Sequence, residues 1–161
     1  YTGFAFVDFE KLTQENILTG IDGEQLIYTK RQKTKQKSNV PLLPPAMAIM
    51  EKYQDHEYCR IKGKLLPVKS NQKMNAYLKE IADLCGITKK LTMHIARHTF
   101  ATTVTLANGV PIESVSSMLG HSSIKTTQIY ARVIEKKVSE DMSVLRQKFH
   151  PSQKPVQSKT S

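Results

Sequence analysis

His94, Arg97 and His98 lie within one short segment, Met93-His94-Ile95-Ala96-Arg97-His98-Thr99. Residues three and four apart share a helix face, so an imidazole and a guanidinium project side by side here. His94 and His98, at i and i+4, have the spacing of the zinc-binding pattern His-Glu-x-x-His. Position 95 is Ile, so the general-base glutamate is missing, and Arg97 beside the pair repels a cation. No metal is expected. A polar pair packed within a helix is the plainer reading, with Ala96, Phe100, Val104 and Ala107 expected on the opposite, core-facing side. A second segment, Leu119-Gly120-His121-Ser122-Ser123, has the form of a helix end. Gly120 suits the position where the chain turns left-handed, leaving His121 just beyond it, and Ser122 or Ser123 can cap the next helix. Tyr130 follows nine residues after His121. By itself it reads as an amphipathic core tyrosine.

Taken in order, these segments are specific. His94-Ile95-Ala96-Arg97-His98-Thr99-Phe100-Ala101-Thr102, then Leu119-Gly120-His121-Ser122-Ser123, then Tyr130, resemble the catalytic domain of the tyrosine recombinases, the phage integrase family. The His-x-x-Arg box, the Leu-Gly-His box and the tyrosine occur in family order and at family spacing. Upstream, Gln32-Lys33-Thr34, with Pro41 eight residues after Lys33, resembles the family's lysine-bearing β-hairpin. Thr2-Gly3-Phe4 resembles the end of its first box.

The resemblance implies phosphoryl transfer between DNA strands. Tyr130 attacks the scissile phosphate, giving a 3′-phosphotyrosyl link and a free 5′-hydroxyl, and a second 5′-hydroxyl reverses the step. The covalent link conserves the phosphodiester energy, so neither ATP nor any other cofactor is required. Charge developing on the non-bridging oxygens calls for fixed cationic donors. Arg97 offers a planar fork. His94 and His121 donate hydrogen bonds or move protons from a phenol whose ordinary pKa is about 10. Lys33 is implied as the acid that protonates the leaving 5′-hydroxyl.

One position departs from the family pattern. An arginine normally follows the Thr-Gly-x segment, and here it is Ala5, with Asp8 matching the acidic residue that usually accompanies it. The paired-arginine clamp lacks one member. Arg31 is a replacement if Arg31 and Lys33 lie on one strand, where residues two apart face the same way; the alternative is a solvated basic strand edge.

The surrounding composition agrees with a polyanionic partner. The 161 residues carry 24 Lys+Arg against 14 Asp+Glu, a formal charge of +10. Five cations fall within Lys30–Lys37, and Arg60, Lys62, Lys64 and Lys69 form a second basic segment. Arg31, Lys35, Lys37, Lys62 and Lys64 are the candidate DNA-backbone contacts, which position a duplex without reading its sequence. The two cysteines make neither a disulfide framework nor a zinc site. No apolar run reaches the length of a membrane helix, and no signal peptide is visible.

The elements that must position these residues are mostly helical. A helix over residues 4–12, ending near Thr13, precedes an Asp22-Gly23 turn. Leu26–Thr29 and Asn39–Leu43 read as a strand pair, with Pro41 confining the second strand to an edge. A helix opens at Pro44, with Ala46, Ile49, Met50 and Tyr53 on one face. Residues 57–69 read as a basic loop. A helix capped by Ser70 or Asn71 carries Met74, Leu78, Ile81, Ala82 and Cys85 and stops at Gly86. Others are expected from Thr92 to Asn108-Gly109, from Pro111, over Ser123–Ala131, and along the stripe Val138, Met142, Leu145 and Phe149. That stripe either packs on its own domain or is passed to a neighbouring protomer. The fold class expected is α+β, mostly helical, with a small antiparallel sheet. Residues 1–149 form the catalytic domain, read as a piece of a longer chain, and 150–161 a disordered tail.

The resemblance further implies a bacterial, cytoplasmic, DNA-associated recombinase or integrase serving a mobile element. Double-stranded DNA would be its partner, with a homotetramer on DNA in the complete protein and accessory DNA-bending factors. Two rivals share these residues: a catalytically impaired DNA-binding factor, suggested by Ala5, and a type IB topoisomerase.

Overall fold

The computed structural model describes residues 1–149. Helices dominate, and the sheet is three antiparallel strands in the order β1-β2-β3, formed by Ile17–Thr19, Gln25–Lys30 and Lys37–Pro41. Ile27 pairs with Ile17 on one side and Val40 on the other, and both Ile27 and Val40 are buried. Pro41 lies on the edge strand β3, where its missing N–H interrupts no ladder. The strand β1 was not expected, because three residues are too few to display an alternating pattern.

The first helix, α1, is only Phe6–Phe9, not the helix over 4–12 that the apolar spacing predicts. Phe4 and Leu12 are buried from the flanking turns, while Val7 is exposed. Helix α2 spans Pro44–Tyr53 with prolines in its first turn; Ala46 is buried, but Ile49 faces solvent. The expected basic loop 57–69 contains a helix, α3, at Glu57–Lys62, which buries Cys59 alone and so shows no stripe. Helix α4, Asn71–Leu84, is capped by Ser70 as expected. Of its stripe, Ala82 is buried and Ile81 and Cys85 are exposed.

Helix α5, Met93–Thr99, starts at Thr92, whose hydroxyl accepts from the Ile95 N–H at 3.1 Å. It passes into a π-helical stretch, Phe100–Thr105, and a final 3₁₀ turn, Leu106–Asn108. Widening to i→i+5 hydrogen bonds shifts the angular position of every later side chain. The buried side runs through Arg97, Phe100, Ala101, Thr105 and Leu106; Ala107, beyond the π stretch, is exposed, and so is Ala96 before it, both expected in the core. Arg97 is on the core side of this helix, not opposite to it.

Helix α6, Ile112–Met118, buries Val115 and, just past its end, Leu119. The expected helix over Ser123–Ala131 is instead two 3₁₀ turns, Ile124–Thr126 and Gln128–Tyr130, leading into α7, Ala131–Phe149. Among the described residues the stripe Val138, Met142, Leu145 and Phe149 is exposed on α7. Among the described residues no helix is long and apolar enough to cross a membrane. The tail 150–161 lies outside the described residues.

Candidate active site

The site forms where the β2–β3 hairpin meets the C-terminus of α6. A helix end leaves backbone carbonyls without intrahelical partners, and here two devices satisfy them. Gly120, at φ +60°, turns the chain so that its N–H donates to Ser117 O at 2.8 Å and the His121 N–H to Ser116 O at 3.0 Å. This paired closure needs a left-handed residue, which is why glycine stands there. Three hairpin side chains then take the next carbonyls. Ser38 Oγ donates to Met118 O, Arg31 Nη1 to Leu119 O, and Thr34 Oγ1 to Gly120 O at 2.8 Å. A Cβ on Gly120 would overlap the Arg31 side chain. The hairpin is thereby fixed to the loop that carries His121.

Arg97 is buried, 8% exposed, and its guanidinium is held on two backbone oxygens. Nη1 donates to Gly3 O at 2.5 Å and Nη2 to Leu119 O at 2.8 Å. Gly3, at φ +66°, has no room for a Cβ beside Phe100, so the first box packs directly against α5. Nη2 also lies 3.0 Å from His121 Nε2. Arginine nitrogens only donate, so Nε2 of His121 accepts. The other ring nitrogen, Nδ1, is 2.8 Å from Thr127 Oγ1 and must carry the ring proton.

Arg31 is 7% exposed, with Nε 2.5 Å from Asp8 Oδ2. Asp8 Oδ1 also accepts from the Gln32 N–H at 2.9 Å, so one carboxylate holds both the guanidinium and the start of the hairpin turn. Two expectations change here. β2 ends at Lys30, so Arg31 and Lys33 are not strand neighbours facing the same way. Arg31 points inward to Asp8 and Leu119, whereas Lys33 is exposed in the turn. A buried arginine bound to a carboxylate is also no free backbone grip, as the DNA-contact reading of Arg31 required. Among the described residues Lys33 makes no hydrogen bond or ion pair.

Around Tyr130 the arrangement is aromatic. Tyr130 is 6% exposed, and the His98 ring stands edge-on to it with centroids 5.3 Å apart. His98 Nε2 is 2.9 Å from His94 Nε2, so one of these nitrogens donates and the other accepts. His94 itself is exposed. Arg97, Arg31 and His121 meet around Leu119 O, and His94, His98 and Tyr130 form a second group, which Arg97 reaches electrostatically through the Tyr130 phenol. Lys35 and Lys37 are exposed on the same hairpin. Lys62 lies on α3, and Lys64 lines a separate cleft with Glu51 and Gln54. Neither touches this cluster.

The electrostatics follow from crowding of cations in a dry site. Burial, then Arg31, lowers Arg97 to about 10. Burial, then Arg97 and Arg31, lowers His121 to about 4, so its ring is neutral near pH 7. Burial, then His94 and Arg97, lowers His98. Burial raises the Tyr130 phenol, and Arg97 opposes that rise. Two guanidiniums against one buried carboxylate leave excess positive charge, which an anion would neutralise. Among the described residues no group of three metal-ligating side chains converges.

The sequence does not single out Thr34, Ser38 or Thr127, and it gives His98 no part in proton handling. A lone Ser or Thr has no periodicity or charge signal, and His98 was weighed only as a zinc ligand.

The sequence profile of the phage integrase family matches residues 9–137. A tyrosine recombinase of Agathobacter rectalis is 36% identical over 143 residues, covering 81% of this chain and 43% of its own. Tyrosine recombinase XerD of Staphylococcus saprophyticus is 40% identical over 82 residues, 51% of this chain and 26% of its own. The crystal structure of XerA recombinase superposes with a TM-score of 0.69 at 24% identity, covering 88% of this chain and 54% of that one. The chain spans less than half the length of the two sequence relatives.

Proposed function

The chain belongs to the phage integrase family, and from that premise we propose that it is the catalytic domain of a site-specific DNA recombinase acting through a phosphotyrosyl intermediate. The observation that carries this reading is the meeting of Arg97, Arg31 and His121 around Leu119 O, with Arg97 near enough to act on the buried Tyr130 phenol. Tyr130 Oη attacks the scissile phosphorus, the P–O5′ bond breaks, and the 3′-phosphate stays on the tyrosine. The phenol proton passes to His98, whose ring stands beside Tyr130 and is paired with His94. Lys33, on the exposed hairpin turn, gives a proton to the leaving 5′-oxygen. Arg97 and Arg31 carry the charge on the non-bridging oxygens, with His94 and His121 as further donors. No metal or other cofactor enters any of these steps.

Arg31 takes the place of the arginine absent at Ala5. Asp8, which would accompany that arginine, is bound to Arg31 instead. Lys35 and Lys37 extend the basic surface along the duplex, and Lys62 and Lys64 contribute from α3 and its C-terminal end. In the complete protein, integration or excision of a mobile element on a homotetramer with DNA-bending factors is the corresponding reaction. The exposed α7 stripe is the segment available for exchange between protomers.

The test is adduct formation on a nicked suicide duplex. Wild type should form a covalent protein–DNA adduct and Tyr130→Phe none, with the variant still binding DNA. An adduct with Tyr130→Phe overturns the nucleophile, and no adduct with wild type favours the impaired DNA-binding factor. Strand exchange between two duplexes separates recombination from topoisomerase-like relaxation.

A further inference from the structure

Thr127 is fully buried, and its hydroxyl lies 2.8 Å from His121 Nδ1. On the other side of the ring, Nε2 is occupied by Arg97, 3.0 Å away. Because Arg97 can only donate, the resting ring is protonated at Nδ1 and gives that proton to Thr127 Oγ1. In this state His121 has no N–H to offer from Nε2, the nitrogen that faces Arg97. A donor to an incoming phosphate oxygen requires the opposite tautomer. The backbone at Thr127 is fixed by N–H donation to Ile124 O at 2.8 Å, and the side chain is fully buried, so its hydroxyl keeps its place opposite Nδ1.

We propose that Thr127 is a positioning residue that lets His121 exchange tautomers, accepting from Nδ1–H in the resting site and donating to Nδ1 when phosphate arrives. A hydroxyl is the side-chain group that can do both from one place, by rotation about the C–O bond. The exchange rests on the proposed binding of a phosphodiester at Arg97. The phosphate draws Arg97 off Nε2; Nε2 takes a proton from water, and the transient imidazolium returns its Nδ1 proton to water, so the ring's final charge and proton count are unchanged. The hydroxyl hydrogen then points at Nδ1, and Nε2–H is free to donate to a non-bridging oxygen. Neutral tautomers suffice because burial and the two guanidiniums oppose charging of the ring at neutral pH. Among the described residues, the charged and titratable groups set against His121 are Arg97 and Arg31, the latter balanced by Asp8.

The first arm uses the free full chain, labelled with ¹⁵N in histidine. The His121 shifts should report Nδ1 protonated and Nε2 bare in wild type and in Thr127→Ser, and a mixed population in Thr127→Val. Wild type with Nε2–H as its major form overturns the proposal, whatever the chain does to DNA. The second arm measures adduct formation on the nicked duplex at saturating DNA. Thr127→Val should lose about tenfold or more in rate, the scale of one hydrogen bond, with unchanged DNA affinity, and Thr127→Ser should recover most of it. A folded Thr127→Val, checked by its melting curve, that cleaves at the wild-type rate overturns the proposal. The third arm adds the duplex to labelled Tyr130→Phe. A shift to Nε2–H supports the exchange, and an unchanged ring or an imidazolium overturns it. Absence of any wild-type adduct would count against the recombinase reading, and the first arm still tests Thr127.

Discussion

Arg31 and Arg97, 66 positions apart in sequence, donate to the same backbone oxygen, Leu119 O. Two guanidiniums on one carbonyl in a buried setting repel each other, and the lowered pKa of Arg97 records that repulsion together with its desolvation. Such an arrangement is stable only with compensating negative charge. Asp8 supplies it for Arg31, and a scissile phosphate would supply it for the pair.

If Arg31 completes the clamp, Arg31→Ala should slow cleavage at saturating DNA by roughly 10²–10³, the cost of one oxyanion donor. Arg31→Lys should recover little, since an ammonium lacks the planar fork. Asp8→Asn should share part of the defect by releasing Arg31. Restoring Ala5→Arg in the Arg31→Ala background should regain activity. Cleavage by Arg31→Ala at the parental rate would remove Arg31 from the reaction.

His98 contacts both His94 and Tyr130, so substitutions can separate packing from proton handling. His98→Phe keeps an aromatic edge against Tyr130 and loses the bond to His94; His98→Gln keeps a hydrogen-bonding group and loses titration. Adduct formation should fall more in the Phe variant, and the Gln variant should lose the acid limb of the rate–pH profile. Equal rates for the Phe variant and wild type would reduce His98 to packing.

Acid should loosen this site. The His121 pKa is about 4 in the fold against about 6.5 in an unfolded chain, so the unfolded state takes up protons first as pH falls. The stability His121 contributes is complete above about pH 6.5 and is lost as pH drops toward 4. His98 is shifted in the same direction. The melting temperature should fall across this window, and His121→Gln, which can still face Arg97 and Thr127, should show a shallower acid limb. An unchanged limb in that variant would mean that other groups carry the acid sensitivity.

Salt dependence separates the basic segments. Each phosphate neutralised adds about −0.9 to the log–log slope of DNA binding with salt. Replacing Lys35 and Lys37 by Ala should flatten the slope by up to about two units, with cleavage at saturating DNA nearly unchanged. The same change at Lys62 and Lys64 should flatten it less, because Lys64 lines a separate cleft that also carries Glu51. A larger effect at Lys62 and Lys64 would place the duplex across α3 instead.

Gly120→Ala tests the joint between hairpin and helix. A left-handed residue with a Cβ costs roughly 1–2 kcal/mol, and that Cβ would also push into Arg31. Both melting temperature and cleavage should fall. Loss of stability with full activity would separate the turn from the seating of Arg31.

The order and spacing of His94, Arg97, Leu119-Gly120-His121 and Tyr130 were legible from the chain alone, as were the mostly helical class, the β2–β3 pair, the helix start at Thr92, the Ser70 cap and the vacancy at Ala5. Those are local patterns, set by residue type at fixed separations. The inward turn of Arg31 was not legible, because it depends on where β2 ends and on Asp8, 23 residues earlier. Beyond α5 the π-helical stretch changes the period, which turns Ala107 out of the core. Within α5, Arg97 faces inward because its guanidinium finds Gly3 O and Leu119 O, partners distant in sequence. Helix α3 and strand β1 were too short to carry any period. Thr127 and His98 acquire their roles only through the ring nitrogens they face, and hydrogen-bond partners across distant segments are decided by tertiary packing.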